Sequence, residues 1–333
     1  MRLPKFEHLQ PESLEEALAL LSKYGEEVKV IAGGTDLLVS MKQRLLNPKY
    51  LLNLKGLAEL DFIKEDRGGL RIGALTRLTT IIRSPLVREK FPILAQAASY
   101  VAAPPLQNMG TLGGNLCLNT RCFFYNQSQF WRQARPLCFK TGGEMCHVVR
   151  GGDHCYSVYQ GDLAPVLIAL GARVKLAKKG SEWVIPLLDL YTGRGEEPIA
   201  LETGAILTEV EVPAPAAPWG GDYQKLRYRG AMDFPLVGVA AVLTWNGTSC
   251  TKATVVLNAV ASAPVVVEEA SRLLEGQKLD EDVIARAAEA AYEVAHPVAN
   301  ISSTPLYRRK MVRVMARRAI GNGVQAWSVS RET

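Results

Sequence analysis

The sequence predicts an α+β protein with an α/β region in residues 1–216 and a smaller α+β domain in residues 217–333. One reason is that a strand, a glycine turn and a helix follow one another in residues 28–44. A second is the stretch PAPAAPWGG at 213–221, which is typical of a linker between domains. Beyond this linker, runs of strands precede runs of helices, and that order indicates an α+β domain.

The α/β region is expected to begin with a subdomain of about residues 1–56. Ser13 and Glu16 have the spacing of a capping box, and apolar residues then recur at helical intervals. The apolar run VKVIA at 28–32 predicts a short strand, and a glycine turn at 33–36 leads from it into a second helix.

The second subdomain, about residues 57–216, is predicted to mix strands and helices. The apolar runs of the whole region predict strands at 51–54, 70–72, 172–177, 183–187 and 206–212, and helices at 76–82, 92–101 and 165–171. About 40 residues, 119–158, interrupt this pattern directly after a second glycine-rich turn. We refer to residues 119–158 as the inserted segment.

The C-terminal domain is predicted to combine an antiparallel sheet with three helices. Its strands are expected at 223–228, 237–245 and 253–260, and its helices at 264–275, 280–295 and 304–320. The sequence contains no internal repeat and no low-complexity tract.

Composition and charge exclude several classes of function. Apolar residues make up 48% of the chain and charged residues 22%, which is ordinary for a globular protein. The net charge of +6 is mild and no nucleic-acid-binding motif accompanies it, so we expect no nucleic acid partner. No apolar run reaches the roughly 18 residues of a membrane span. The N-terminus lacks a secretory pattern, so the expected location is the cytoplasm, where the six cysteines stay reduced.

Two glycine turns point to a phosphate-bearing ligand. They are Ala-Gly-Gly-Thr-Asp at 32–36 and Thr-Leu-Gly-Gly-Asn at 111–115. Glycine lets backbone N–H groups approach a phosphate closely, and the start of a following helix adds a favourable dipole. Either turn alone is equally well explained as a tight turn or a helix cap. Two such turns can clamp one diphosphate, although neither matches the usual dinucleotide or P-loop pattern.

Four of the six cysteines lie in the inserted segment: Cys122, Cys138, Cys146 and Cys155. Their spacing, C-x15-C-x7-C-x8-C, has neither the tight pairs of a zinc site nor the runs of a common ferredoxin. The spacing therefore leaves zinc and an iron–sulfur cluster open. Cys117 is expected to be buried beside the ligand of the glycine turns, and Cys250 to be structural. The two histidines beside the cysteines, His147 and His154, are not expected to be ligands.

Several short motifs together resemble the flavin-binding medium subunit, or domain, of molybdenum hydroxylases. They are AGGTDLL at 32–38, MGTLGGN at 109–115, GDLAP at 161–165, ILTEVEVP at 206–213, KLRYRGAMD at 225–233, YRR at 307–309 and RR at 317–318. The resemblance covers nearly the whole chain. It implies the two-part FAD-binding α/β region of that family, followed by its C-terminal sheet-and-helix domain.

The resemblance also implies which residues bind FAD. The matching positions are Lys29, Val30, Ile31, Ala32, Gly33, Gly34, Thr35, Asp36, Thr76, Val101, Thr111, Gly113, Gly114, Asn115, Asp162, Leu207 and Lys225. Thr76 and Val101 are equally explained as core or cap residues. Asp162 has the alternative role of a helix cap, and Lys225 that of a solvated strand residue. No catalytic residues are predicted on this chain, because it has no set of side chains suited to substrate chemistry.

An inserted cysteine segment at this place resembles family members that carry a [4Fe–4S] cluster besides FAD. The resemblance makes Cys122, Cys138, Cys146 and Cys155 the cluster ligands. It implies a large subunit with the molybdenum cofactor and a small subunit with two [2Fe–2S] clusters, assembled as a dimer of heterotrimers. Reduced ferredoxin is then the expected donor, and electrons pass inward to molybdenum. The alternatives are a conventional hydroxylase flavoprotein that passes electrons outward, and a zinc ion that only staples the segment.

The inserted segment is also rich in rings and cations. Its rings are Phe123, Phe124, Tyr125, Phe130 and Trp131, and its cations are Arg121, Arg132, Arg135, Lys140 and Arg150. Such a mixture can bind single-stranded nucleic acid. Rings that shield a cluster, with a cationic surface for an acidic ferredoxin, fit the resemblance better.

Overall fold

Residues 2–56 contain a three-stranded parallel sheet with the strand order β1-β3-β2. Its strands are β1 Glu7–Leu9, β2 Val28–Ile31 and β3 Tyr50–Asn53, and its helices are α1 Leu14–Tyr24 and α2 Leu37–Lys42. This computed structural model describes residues 2–215 and 218–330. Ser13 caps α1 as predicted and accepts a hydrogen bond from the Glu16 N–H, whereas the Glu16 carboxylate accepts from the N–H of Glu12. The glycine turn between β2 and α2 follows an edge strand of this sheet.

The second subdomain contains a five-stranded antiparallel sheet with the strand order β4-β5-β8-β6-β7. Its strands are β4 Ile63–Asp66, β5 Gly69–Gly73, β6 Arg173–Lys178, β7 Ser181–Pro186 and β8 Ile206–Val212. Its helices are α3 Leu78–Arg83, α4 Pro85–Lys90, α5 Pro92–Tyr100, α6 Pro104–Gln107, α7 Leu112–Leu116, α8 Gln129–Gln133 and α9 Leu163–Ala169. Helix α9 is buried along its whole length, which places the turn before it deep in the molecule.

The inserted segment leaves and re-enters this subdomain at one point. Arg121 and Val158 form an isolated β-bridge, in which each N–H donates to the other's carbonyl oxygen at 2.8 Å. Between them the segment contains α8 and a short turn of 3₁₀ helix at Phe139–Thr141. The bridge therefore closes the segment into a loop whose two ends are fixed.

The C-terminal domain is a four-stranded antiparallel sheet, ordered β12-β11-β10-β9, against three helices. Its elements are β9 Trp219–Leu226, β10 Val237–Asn246, β11 Ser249–Asn258, β12 Val265–Val266, α10 Glu268–Leu274, α11 Glu281–Val294 and α12 Pro305–Ser330. The predicted domain boundary at 216/217 lies outside the described residues. The helix predicted at 264–275 begins only at Glu268, because the β-branched Val265 and Val266 pair with β11 instead.

Strand β10 explains how this domain is joined to the rest of the chain. Val237, Val239, Ala241 and Leu243 pack in a core with α11 and α12. The alternate residues Ala240 and Val242 belong to the core of the second subdomain. Because both faces of the strand are buried, its sequence is an almost continuous apolar run. The sheet therefore contributes to the core of the second subdomain on one face and to the core of the C-terminal domain on the other.

Candidate functional site

The two glycine turns lie directly against each other. A Cβ atom added to Gly33 would stand 2.0 Å from the carbonyl oxygen of Met109 and 2.6 Å from its carbonyl carbon. Gly34 has φ of +72°, in the left-handed region that favours glycine. These two positions therefore require glycine, the first because of the close approach and the second because of the backbone angle.

A cavity of about 580 Å³ lies between the turns. We call it the glycine-turn cavity. Its volume is in the range of cofactor and ligand sites, about 300–1,000 Å³. No described residue accepts a hydrogen bond from the N–H groups of Gly33, Gly34 or Thr35, which line it. Three adjacent free donors, followed by the start of α2, can bind an anionic group.

Most of the residues predicted to bind FAD line this cavity. They are Val30, Ile31, Ala32, Gly33, Gly34, Thr35, Asp36, Val101, Thr111, Gly113, Gly114, Asn115, Asp162 and Leu207. The structure therefore brings both glycine turns and the Gly161-Asp162 turn together around one cavity. Asn115 connects them, because its side-chain oxygen accepts a hydrogen bond from the Leu163 N–H at 3.2 Å.

Three of the predicted residues lie outside the lining of this cavity. Lys29 is exposed on β2. Thr76 is buried, and its hydroxyl donates to the carbonyl oxygen of Phe62 at 2.9 Å. Lys225 is neither a solvated strand residue nor a lining residue, since its side chain is buried and its ammonium donates to Asp162 at 2.8 Å. Their contact with FAD stays a prediction.

Asp162 and Lys225 form a buried ion pair behind the cavity wall. Tyr223 donates a second hydrogen bond to the Asp162 carboxylate at 2.8 Å, and Lys225 also donates to the carbonyl oxygen of Tyr100 at 2.8 Å. Burial raises the pKa of the Asp162 carboxyl, and the Lys225 ammonium opposes that rise. Asp162 is at the N-cap position of α9, but its side chain makes no capping bond. The pair therefore fixes the Gly161-Asp162 turn against β9.

The cavity also has lining residues that no motif indicated. They include Asn119 and Arg121 at the start of the inserted segment and Phe234 of the C-terminal domain. Arg229, Met232 and Asp233, from the motif KLRYRGAMD, also line the cavity. Only the tertiary fold brings these parts to the glycine turns. Cys117 lines the cavity as predicted, and burial raises the pKa of its thiol to about 12.

The four cysteines of the inserted segment line a second, small cavity, the cysteine cavity. All four are free thiols. Burial raises the pKa of the Cys122 thiol to about 11 and also raises the pKa of Cys155. The space between them is about 20 Å³, which is room for roughly one water molecule.

Three of the sulfurs accept hydrogen bonds from neighbouring groups. The N–H of Val149 donates to Cys146 Sγ at 3.4 Å, and that of Ser157 donates to Cys155 Sγ at 3.4 Å. The Thr141 hydroxyl donates to Cys138 Sγ at 3.6 Å. Donors aimed at sulfur favour the thiolate over the thiol, because they stabilise negative charge there.

Lys140 supplies a buried cation beside these sulfurs. Its ammonium donates to Asn119 Oδ1 at 2.8 Å, to Thr120 Oγ1 at 2.6 Å and to the carbonyl oxygen of Gly195. Burial lowers its pKa to about 8, while neighbouring Cys155 and Glu196 oppose that shift. None of its hydrogen-bond acceptors is a carboxylate.

The cations and rings of the inserted segment are placed differently from the sequence prediction. Arg121 donates to the Asp36 carboxylate and Lys140 donates to Asn119. Arg132 donates to the carbonyl oxygens of Gln43 and Arg44. Only Arg135 and Arg150 are exposed, and Glu144 and Asp153 of the same segment are exposed with them. The predicted cationic surface is therefore wrong, because most of the cations turn inward to carbonyl or carboxylate acceptors. Phe124 and Tyr125 line the cysteine cavity as shields, whereas Phe130 is 87% exposed.

In residues 2–215 and 218–330, no group of three or more His, Cys, Asp or Glu side chains is arranged to hold a metal ion. The four thiols thus share a cavity without converging on one point. His147 and His154 bond elsewhere, to the Pro136 carbonyl oxygen at 3.0 Å and to Asp153 at 2.6 Å. Across the same described residues, no helix is long and apolar enough to cross a membrane.

Comparison with known proteins matches both parts of the chain. Residues 4–215 match the FAD binding domain in molybdopterin dehydrogenase, and residues 222–322 match the CO dehydrogenase flavoprotein C-terminal domain. The carbon monoxide dehydrogenase medium chain of Afipia carboxidovorans is 30% identical over 315 residues, which is 95% of each chain. The aldehyde oxidoreductase FAD-binding subunit PaoB of Escherichia coli is 33% identical over 302 residues, covering 86% of this chain and 90% of that one.

The solved structure of carbon monoxide dehydrogenase from Hydrogenophaga pseudoflava superimposes with a TM-score of 0.82 at 27% identity, over 98% of this chain and 99% of that chain. Fold, cavity and matched domains together define a flavoprotein of the oxidoreductase class. The chain belongs to the FAD-binding medium subunits of the molybdenum hydroxylase family. The fold and family that the motifs predicted are confirmed.

Proposed function

We propose that this chain is the FAD- and [4Fe–4S]-carrying electron-transfer subunit of a 4-hydroxybenzoyl-CoA reductase. The observation that carries the proposal is the position of residues 117–122. Cys117, Leu118, Asn119 and Arg121 line the glycine-turn cavity, and Cys122 lines the cysteine cavity. One short stretch of backbone therefore separates the two sites, and electrons can pass between groups held on its two sides.

The glycine-turn cavity fits FAD. The free N–H groups of Gly33, Gly34 and Thr35 would hold the diphosphate, and the apolar walls around Ile31 and Leu207 would bury the rings. FAD supplies the exchange of one or two electrons, and the protein orients it and excludes water. Asp162 and Lys225 support this arrangement from behind by holding the turn at Gly161.

The cysteine cavity fits a cluster in its donor set. The cavity provides four thiols that can bind the iron of a cluster. Three of their sulfurs accept hydrogen bonds, and the Lys140 ammonium lies nearby; such groups tune the potential of an iron–sulfur cluster. A zinc ion instead draws four sulfurs to about 2.3 Å from one centre. A [4Fe–4S] cluster is larger than the space of about 20 Å³ between the four thiols. Its insertion requires the partly exposed turns that carry Cys138 and Cys146 to move outward.

The direction of electron flow and the substrate rest on the resemblance of the inserted segment. In the proposed enzyme, reduced ferredoxin donates to the cluster, and electrons pass through FAD to [2Fe–2S] and molybdenum centres on a small and a large subunit. There 4-hydroxybenzoyl-CoA is reduced to benzoyl-CoA and water, in a dimer of heterotrimers in the cytoplasm. A conventional flavoprotein that passes electrons outward from FAD is the alternative, since the relatives include the CO dehydrogenase medium chain.

We expect the protein purified without oxygen to show flavin bands together with a broad brown absorption. Iron analysis should give about four irons per chain, because one [4Fe–4S] cluster is bound by one set of four cysteines. Zinc in place of iron would contradict the cluster. For the function, the reconstituted complex should reduce 4-hydroxybenzoyl-CoA with reduced ferredoxin. Failure there, with efficient outward transfer to NAD or oxygen, would favour the alternative.

Replacement of Lys140 by Met should lower the reduction potential of the cluster while FAD stays bound. The change removes a buried positive charge that favours the extra electron of the reduced cluster. For charges about 7 Å apart at an effective dielectric constant of about 20, the effect is on the order of 100 mV. A redox titration followed by electron paramagnetic resonance measures it. Arg135→Met, which removes an exposed cation of the same segment, should leave the potential unchanged. Equal potentials in all three proteins would contradict this role.

A further inference from the structure

Arg121 stands between the two cavities. Its backbone is fixed by the β-bridge to Val158, and the next residue along the chain is Cys122. Its side chain turns the other way and lines the glycine-turn cavity. The first residues of the inserted segment thus face one site with a thiol and the other with a guanidinium group.

The guanidinium group of Arg121 joins three parts of the chain. Its Nη2 donates to Asp36 Oδ1 at 2.6 Å, and Asp36 ends the first glycine turn. The group lies 4.1 Å from the ring centroid of Phe234, which belongs to the C-terminal domain. Because Asp36 is beside the free N–H groups of that turn, its negative charge opposes a bound phosphate. Arg121 neutralises that charge at its source.

One N–H donor of the same guanidinium group has no hydrogen-bond acceptor among the described residues. This donor is Arg121 Nε, which is buried. A buried donor without an acceptor is destabilising, so native proteins nearly always pair such groups. The protein covers Nε in this structure, so a ligand in the cavity supplies its acceptor only if the Arg121 side chain, which lines the cavity, shifts when the ligand binds. FAD offers phosphate oxygens and the carbonyl groups of its rings.

We infer that Arg121 is a FAD-binding residue that the inserted segment supplies, donating through Nε and placing a positive charge beside the cofactor. The inference rests on FAD occupying the glycine-turn cavity, as proposed above, and not on the cluster. It gives the inserted segment a second role: the strand that holds one redox group also completes the site of the other. Arg121 lies outside the family motifs quoted from the sequence.

The test compares Arg121→Met, Arg121→Lys and Arg135→Met in the full chain, stripped of FAD and titrated with FAD by fluorescence. We expect Arg121→Met to weaken FAD binding at least tenfold, which is at least about 1.4 kcal/mol. Its flavin potential should also fall, because a positive charge beside the reduced flavin is lost. Arg121→Lys should restore part of both effects, since it keeps the charge without the Nε donor. Arg135→Met should match the wild type.

Iron content separates the possible failures. Wild-type affinity and potential in Arg121→Met would overturn the inference. A parallel loss of FAD, iron and cooperative unfolding would assign Arg121 a folding role and would also overturn it. If the wild type contains no iron but Arg121→Met still weakens FAD binding, the relay proposal fails and the inference stands.

Discussion

Replacement of Cys138 by Ser should destroy or degrade the iron–sulfur cluster and leave FAD bound. Serine is a poor ligand for cluster iron, so one of four ligands is lost. Cys138 is on a partly exposed turn, and its own turn is held by other contacts, including the Thr141 N–H donation to the Cys138 carbonyl oxygen at 2.8 Å. We therefore expect the chain to fold, the iron content to fall well below four per chain, and the flavin bands to persist.

The matched control for this variant is Cys250→Ser. Cys250 is buried in β11 of the C-terminal domain and lines neither cavity. The Cys250→Ser variant should keep both FAD and iron, although burial of the serine hydroxyl is expected to lower the free energy of unfolding somewhat. Iron and flavin content of both variants, measured on anaerobically purified protein, decides the matter. If Cys138→Ser loses FAD and keeps iron, the assignment of the two sites is wrong.

The glycine turns show how far sequence reasoning reaches. A pair of glycines beside a hydroxyl residue is a local signal, because the need for close backbone approach is written into the residue type. The sequence therefore predicted both turns and their ligand class. It did not show that Gly33 rests on the carbonyl oxygen of Met109. That contact depends on how two distant turns pack, and no local pattern carries it.

Charged residues show where such reasoning fails. A cation in a sequence can face solvent, a carboxylate or a carbonyl oxygen, and the choice is made by tertiary packing. Lys225 has the alternative interpretation of a solvated strand residue, but it is buried and paired with Asp162, and its contact with FAD stays a prediction. Arg121 and Lys140 looked like surface charge but lie inside. Burying a charge requires partners from other parts of the chain, so the three residues could be placed only in the folded structure.

Replacement of Gly33 by Ala should abolish or strongly weaken FAD binding while the cluster is kept. The added Cβ would lie 2.0 Å from the Met109 carbonyl oxygen, so the two glycine turns must move apart. Overpacking of this kind typically costs about 1–3 kcal/mol, and each 1.4 kcal/mol is about tenfold in affinity. We therefore expect FAD to bind at least about tenfold more weakly in a fluorescence titration. Gly321→Ala is the control, since nothing lies within 4 Å of its added Cβ. Wild-type FAD affinity in Gly33→Ala would show that the diphosphate does not bind between these turns, because only the spacing of the turns is altered and the cysteines are untouched.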